Sequence, residues 1–283
     1  MRAPPCGRSV VAEPLRVAIQ IVLGQFQRHA APHSLQRAPW RNKADGFVEK
    51  IHRSEGRALG LAGTLEIGMA LDLDLFVERR PYAYHLTGEE NFRLMRTSRA
   101  IRSAAEMIES AGCSGSLRVR RRKHAPIQIT GTKAFLRDQD PLHEGEIRFE
   151  GGWKMADLVE ELNRHVFFWP GTVEKPNGYG IRHFGLYSKS EKPVILRVPT
   201  ASLLSCNPRL KPHFCRFNSG SPRCVGGKKS PRGPDTFLPA DRFPGTSSDV
   251  AELTFRGAVQ LPALTEYAST PYGPWTRFIE TQR

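Results

Sequence analysis

Acidic residues are scarce in this chain of 283, where 28 Asp and Glu face 42 Lys and Arg for a formal charge of +14. Such an imbalance favours a polyanionic partner, because neutralised phosphates release their counterions; a merely soluble basic surface is the alternative. Cysteine is sparse and oddly spaced. Cys6, Cys113, Cys206, Cys215 and Cys224 contain no CxxC pair, which argues against a disulfide framework and suits a reducing cytoplasm. Cys206, His213, Cys215 and Cys224 carry zinc-ligand atoms, but their spacing matches no compact knuckle or ribbon, so no metal is expected. No apolar run reaches the eighteen or so residues that span a bilayer. "VAIQIVLGQF" (17–26) is too short, follows Glu13 and has no small-residue cleavage site after it, so neither a membrane segment nor a signal peptide is expected. A strand-borne GxGxxG and a Walker loop are missing, as are GxSxG and HExxH, which disfavours the Rossmann, P-loop, α/β-hydrolase and zincin classes. Internal repeats are absent too.

What is present is enough for a folded core: 39% hydrophobic residues and 9% aromatics exclude wholesale disorder. The 22 prolines and 25 glycines imply a loop-rich globule rather than a helical bundle. Residues 1 to 68 differ in texture from the rest, with a helix plausible over Glu13–Arg28. Met69 reads as an alternative start, which makes 1 to 68 an N-terminal extension and 69 to 283 the main domain. In that domain "YAYHL" (82–86) reads as a strand. "EENFRLMRTS" and "RSAAEMIESAG" read as helices, the second closed by Gly112. "RVRRRKH" (118–124) reads as a solvated cation run. "MADLVEELNRHV" has Met155, Leu158, Val159 and Leu162 on one helical face. "VFFWPG", "PVILRVP", "DVAELTF" and "GAVQLP" read as strands. Short helices early and strands later predict an α+β sheet core rather than alternating βαβ units.

Three features could carry chemistry. Glu252 sits among apolar neighbours in "DVAELTF"; it is either an edge-strand carboxylate facing water or an acid held rigidly to orient a hydroxyl or take a proton. His85 and Thr87 in "YHLT" are two apart and share one strand face, as a satisfied core pair or as a ligand-holding imidazole and hydroxyl. "FFWP" offers Phe167, Phe168 and Trp169 for core packing or for stacking on a planar heterocycle.

In their order, "YHLTGEENFRLMRTSRAIRSAAEMIESAG", "VFFWPGT", "PVILRVP" and "DVAELTFRGAVQLP" resemble the ADP-ribosyltransferase folds, and most of all DarT-type toxins and RNA 2′-phosphotransferases. The chain is also similar to an uncharacterised bacterial family sharing "RDQxPL", "HVFFWPGT" and "CRxNSGSPRC" segments. The resemblance covers about residues 72 to 265. It implies a split-sheet core, NAD as substrate, no metal, and a toxin or defence effector as the setting. Glu252 would match the catalytic glutamate, which binds the nicotinamide-ribose 2′-hydroxyl and steadies the oxocarbenium ion as nicotinamide leaves. His85 and Thr87 would hold NAD, Phe168 or Trp169 would stack near nicotinamide, and Arg102 or Arg137 would meet the NAD phosphates. DarT-type chains follow the aromatic strand with an Arg-Ser step, whereas "PGTVEKPNGYG" follows it here.

The segment "CRFNSGSPRCVGGKKSPRGPDTF" (215–237) would then be the acceptor-choosing loop. Its Arg216, Arg223, Lys228, Lys229 and Arg232, with amides exposed by Gly226-Gly227, suit phosphate contacts, and "RVRRRK" could extend the path. The implied activity is NAD-dependent ADP-ribosyl transfer to DNA or RNA. Transfer to a protein, removal of an RNA 2′-phosphate and non-catalytic nucleic-acid binding are its rivals.

Overall fold

The computed structural model of the protein describes residues 70–187 and 192–278. The N-terminal extension and the helix expected over Glu13–Arg28 lie outside the described residues. The chain divides into two units, Met1–Gly63 and Thr64–Arg283, and every described residue belongs to the second.

In chain order the elements begin with α1 (Leu73–Arg79), β1 (Tyr82–Gly88), α2 (Glu89–Ser98), β2 (Ala100–Ile101) and α3 (Ala104–Ser110). Next come β3 (Ala125–Ile129), β4 (Thr132–Leu136), β5 (Ile147–Phe149), α4 (Met155–Arg164) and β6 (His165–Gly171). They are followed by α5 (Gly178–Tyr187), β7 (Pro193–Pro199), α6 (Thr200–Cys206), β8 (His213–Cys215) and β9 (Ser230–Arg232). Last are β10 (Leu238–Pro239), β11 (Glu252–Arg256), β12 (Val259–Gln260), β13 (Glu266–Ala268) and β14 (Thr276–Arg277).

Local chemistry explains most of these boundaries. Asp72 caps α1 by accepting from the Leu75 amide at 3.0 Å, and the Ser103 hydroxyl caps α3 by accepting from the Glu106 amide at 3.3 Å, each satisfying an orphan donor of a first turn. Helix α2 carries Glu89 and Glu90 in its first turn and buries Phe92 and Met95, three residues apart, the spacing of one helical face. In α4, Leu158, Val159 and Leu162 are buried as their periodicity predicts.

Eight strands form one sheet in the order β10-β8-β11-β6-β1-β7-β13-β14, and every registered pair in it is antiparallel. This is the expected α+β class. The "GAVQLP" run yields only β12, which pairs with β2 away from the main sheet. One face of the sheet carries Ala83, Phe168, Leu196, Val198, Leu253 and Phe255 into the largest core cluster, together with Phe76, Phe92 and Leu203 from α1, α2 and α6. A second cluster packs α4 against Cys215 and Phe237. A third gathers Tyr84, Leu86, Trp169 and Tyr187.

The register between β1 and β6 covers only Tyr82–Tyr84 against Gly171–Trp169. Beyond it β6 turns its pairing to β11, from Phe168 to His165, while β1 remains paired with β7 along its whole length. The sheet is therefore joined at its centre by a short stretch, and the candidate site lies beside that junction.

Candidate active site

A cavity of about 830 Å³ takes its lining from β1, β6, β11, α5 and the loop between β8 and β9, a volume typical of small-ligand sites. Glu252, His85, Thr87, Trp169, Arg102 and Arg137 all line it. These residues are separated by up to 167 positions, so only the fold brings them together.

Glu252 opens β11, which lies between β6 and β8. The edge-strand reading is thereby corrected, because a strand paired on both sides has no open edge. The carboxyl is buried, at 2% exposure. Its Oε2 accepts from the Ser219 amide at 3.1 Å and from the Ser219 hydroxyl at 2.7 Å. Oε1 has no hydrogen-bond partner among the described residues. Burial raises the carboxyl pKa to about 7, against the opposing pull of both Ser219 bonds and the nearby Arg232 charge. A carboxylic acid so placed is poised near neutrality, where acid–base and electrostatic roles are both open to it.

His85 is half-buried on β1, and its Nδ1 lies 2.9 Å from the Phe167 carbonyl oxygen. Desolvation, with the Arg137 charge adding to it, lowers its pKa to about 4. The ring is thus neutral at pH 7 and donates through Nδ1–H, which leaves Nε2 as an acceptor. Thr87 follows on the same strand and is also buried, at 3% exposure.

Strand periodicity corrects one aromatic. Phe168 faces the opposite side from Phe167 and Trp169; it is fully buried in the main core, edge-on to Phe255. Phe167, offered with them by "FFWP", lines the cavity together with Trp169. Against the Trp169 indole packs α5, whose Gly180 comes so close that a Cβ there would sit 2.9 Å from the ring.

Residue patterns do not predict helix α5, because Gly178, Gly180 and Gly185 weaken its propensity. Its Tyr179, Arg182, His183, Leu186 and Tyr187 form one helical stripe along the cavity wall. His183 lies between Trp169 and Tyr187, at ring distances of 5.2 and 4.8 Å, and burial holds its pKa down at about 3. The Arg137 guanidinium stacks on the Tyr187 ring at 4.1 Å. Arg102 is exposed, just after β2.

The loop between β8 and β9 divides by exposure. Arg216, Arg223, Lys228 and Lys229 are exposed. Val225 and Lys228 exchange backbone hydrogen bonds at 3.1 and 3.0 Å, and Gly226 and Gly227 close that tight turn with φ of 55° and 76°, where a side chain would be strained. Arg232 is corrected from a solvent-facing phosphate contact to a buried guanidinium, at 1% exposure. In the "RVRRRK" run Arg118, Arg122 and Lys123 stay exposed, whereas Arg121 turns inward, donating to the Arg137 carbonyl at 3.0 Å and to Asn163 Oδ1 at 2.9 Å. Among the described residues, seven arginines line the cavity against two carboxylates, Asp138 and Glu252. No group of three or more potential metal ligands is found among the described residues, and no helix among them is long and apolar enough to cross a membrane.

Residues 81–265 match the family model described as a family of unknown function, DUF7002. The chain belongs to this DUF7002 family. Every residue lining the cavity, from His85 to Glu252, falls within the DUF7002 segment, whereas α1, β13 and β14 lie outside it. No curated protein matches the chain, and no solved structure does.

Proposed function

We propose that this DUF7002 protein is an NAD-consuming ADP-ribosyltransferase whose acceptor is a nucleic acid. The observation that carries the reading is Glu252: a buried strand carboxylate, held through one oxygen by Ser219, in the same arginine-rich cavity as His85. The short β1–β6 register, with each strand paired elsewhere beyond it, supports the split-sheet form of α+β fold that such enzymes have.

The residues present suit NAD. A carboxylate oxygen and an imidazole nitrogen are unengaged, flat rings are at hand, and guanidinium groups suit a diphosphate. NAD supplies a ribosyl carbon whose bond to nicotinamide breaks with the electron pair leaving on nitrogen, while an acceptor oxygen or nitrogen bonds to that carbon and loses a proton. Ionised Glu252 accepts from the ribose 2′-hydroxyl and stabilises positive charge at the neighbouring carbon. His85 Nε2 accepts from a ribose hydroxyl, with Thr87 beside it. Trp169 and Phe167 flank the planar ring, and Arg137, whose charge reaches His85, is favoured over exposed Arg102 for the diphosphate. Exposed Arg223 in the cavity lining, with exposed Lys228 and Lys229 in the turn that follows it, supports a nucleic-acid acceptor.

Labelled NAD incubated with separate DNA, RNA and protein pools tests both halves of the proposal. Label is expected in a nucleic-acid pool and is expected to vanish with Glu252→Gln. Label in the protein pool instead would move the acceptor to a side chain. Intact NAD beside normal nucleic-acid binding would make the protein a binding module and end the enzymatic reading.

A further inference from the structure

Arg232 is among the largest fully buried side chains of the described residues, and its ion-pairing is unusual. None of the salt bridges among the described residues involves it. Its Nε donates to the Ser219 carbonyl at 3.1 Å and its Nη2 to the Asn218 carbonyl at 2.9 Å. Its Nη1 donates to the Ser230 hydroxyl at 2.6 Å and to the Pro231 carbonyl at 2.7 Å. The guanidinium plane lies over the Phe217 ring, 4.1 Å from its centroid. The rigid fork thus grips the backbone on both sides of the Asn218–Ser219 peptide. That same Ser219 turns its amide and hydroxyl onto Glu252.

We infer that Arg232 is a positioning residue, one that locks the Phe217–Ser219 turn so that Ser219 delivers two hydrogen bonds to Glu252 and that sets a positive charge behind the carboxylate. The inference rests on the reading of Glu252 as the catalytic acid. A cation whose guanidinium is held by Ser219, Asn218, Ser230 and Pro231 keeps Glu252 ionised without competing for its free oxygen. Around Glu252 the other titratable group is Cys215 on β8, whose thiol burial and the Glu252 charge push up, so Arg232 is the compensating cation beside the carboxyl. Desolvation lowers the Arg232 pKa from its usual value, yet a guanidinium stays protonated over the working pH range.

The test follows the Glu252 carboxyl carbon by isotope-edited NMR in the full chain, with Glu252→Gln assigning the signal. In Arg232→Met the titration midpoint should rise by about one pH unit or more, roughly a tenfold change in acid dissociation. Arg232→Lys, which keeps charge but loses the fork, should give a smaller rise, and the acid limb of NAD turnover should move with the midpoint. Should Arg232→Met fail to fold, Arg232→Lys and Ser219→Ala carry the test, each expected to raise the midpoint. A midpoint unmoved in the folded variants, with only thermal stability reduced, would overturn the inference and leave Arg232 a loop strut. The titration needs no substrate, so a wild-type protein that ignores NAD would overturn the catalytic reading separately.

Discussion

The His85 imidazole, through Nδ1, satisfies the Phe167 carbonyl oxygen at 2.9 Å, so a side chain of β1 serves a backbone group of β6 just past their last registered pair. One ring therefore does two things: it closes a gap in the sheet and presents Nε2 as an acceptor. Replacing His85 by Ala leaves that carbonyl without its donor, at a cost of about 1–3 kcal/mol. His85→Asn can still donate to the carbonyl and should lose less stability. Both should lose NAD affinity, since neither retains Nε2. Denaturant unfolding and calorimetric titration separate the two effects; full NAD affinity in His85→Ala would remove the imidazole from the site.

Acid should weaken the fold through its histidines. Burial lowers His85 to about 4, His183 to about 3 and His213 to about 4. The unfolded chain takes up protons at these sites below about 6.5, so their stabilising contribution is complete above that pH and is lost as pH falls toward 4. Tm should drop between pH 7 and pH 4.5, and His183→Phe should flatten the drop. A pH-independent Tm would mean these rings are not buried.

Glu252 runs the other way. Its folded pKa is raised, to about 7, so its contribution to stability is complete below the unfolded value near 4.3 and is lost as pH rises through 7. Glu252→Gln should therefore gain in Tm relative to wild type at pH 8 and gain little at pH 4.5. The carboxylate must be ionised to hold positive charge, so wild-type NAD turnover should climb as pH rises through about 7. Equal pH dependence of Tm in the two proteins would contradict the burial of this acid.

Neighbouring phenylalanines should behave differently. Phe168→Ala opens a hole in the main core and should cost about 3–5 kcal/mol, with NAD affinity kept wherever the protein stays folded. Phe167 is half-buried and lines the cavity, so Phe167→Ala should cost less stability and more affinity. Unfolding and binding measured on both variants decide it; reversed behaviour would mean the strand faces are misassigned.

Charge reversal at the exposed turn tests the acceptor. Lys228→Glu with Lys229→Glu should weaken nucleic-acid modification and flatten the dependence of log affinity on log salt by about one per phosphate contact removed. An unchanged salt slope would place the acceptor elsewhere.

Much of this was legible in residue patterns. The β1, β6, β7 and β11 strands and the α2 and α4 helices follow from apolar period and caps, which act over a few residues. Glu252 and His85 could be singled out because an acid or an imidazole within an apolar strand is conspicuous. Helix α5 is not legible there because its three glycines mask a stripe that packing stabilises, in part against the Trp169 ring, an instance of packing overriding propensity. Ser219 gave no signal at all, since its partner lies 33 residues away.

By itself, then, the amino-acid order determined most of the strands and helices, α5 excepted, and marked an acid and an imidazole that bear usable chemistry, because backbone sterics and side-chain period are short-range. The tertiary structure alone decided which of those residues share a cavity, that Phe167 rather than Phe168 faces it, and that Arg232 turns inward while Lys228 and Lys229 stay in solvent. Those choices depend on strand order and on desolvation, and neither exists until distant segments meet.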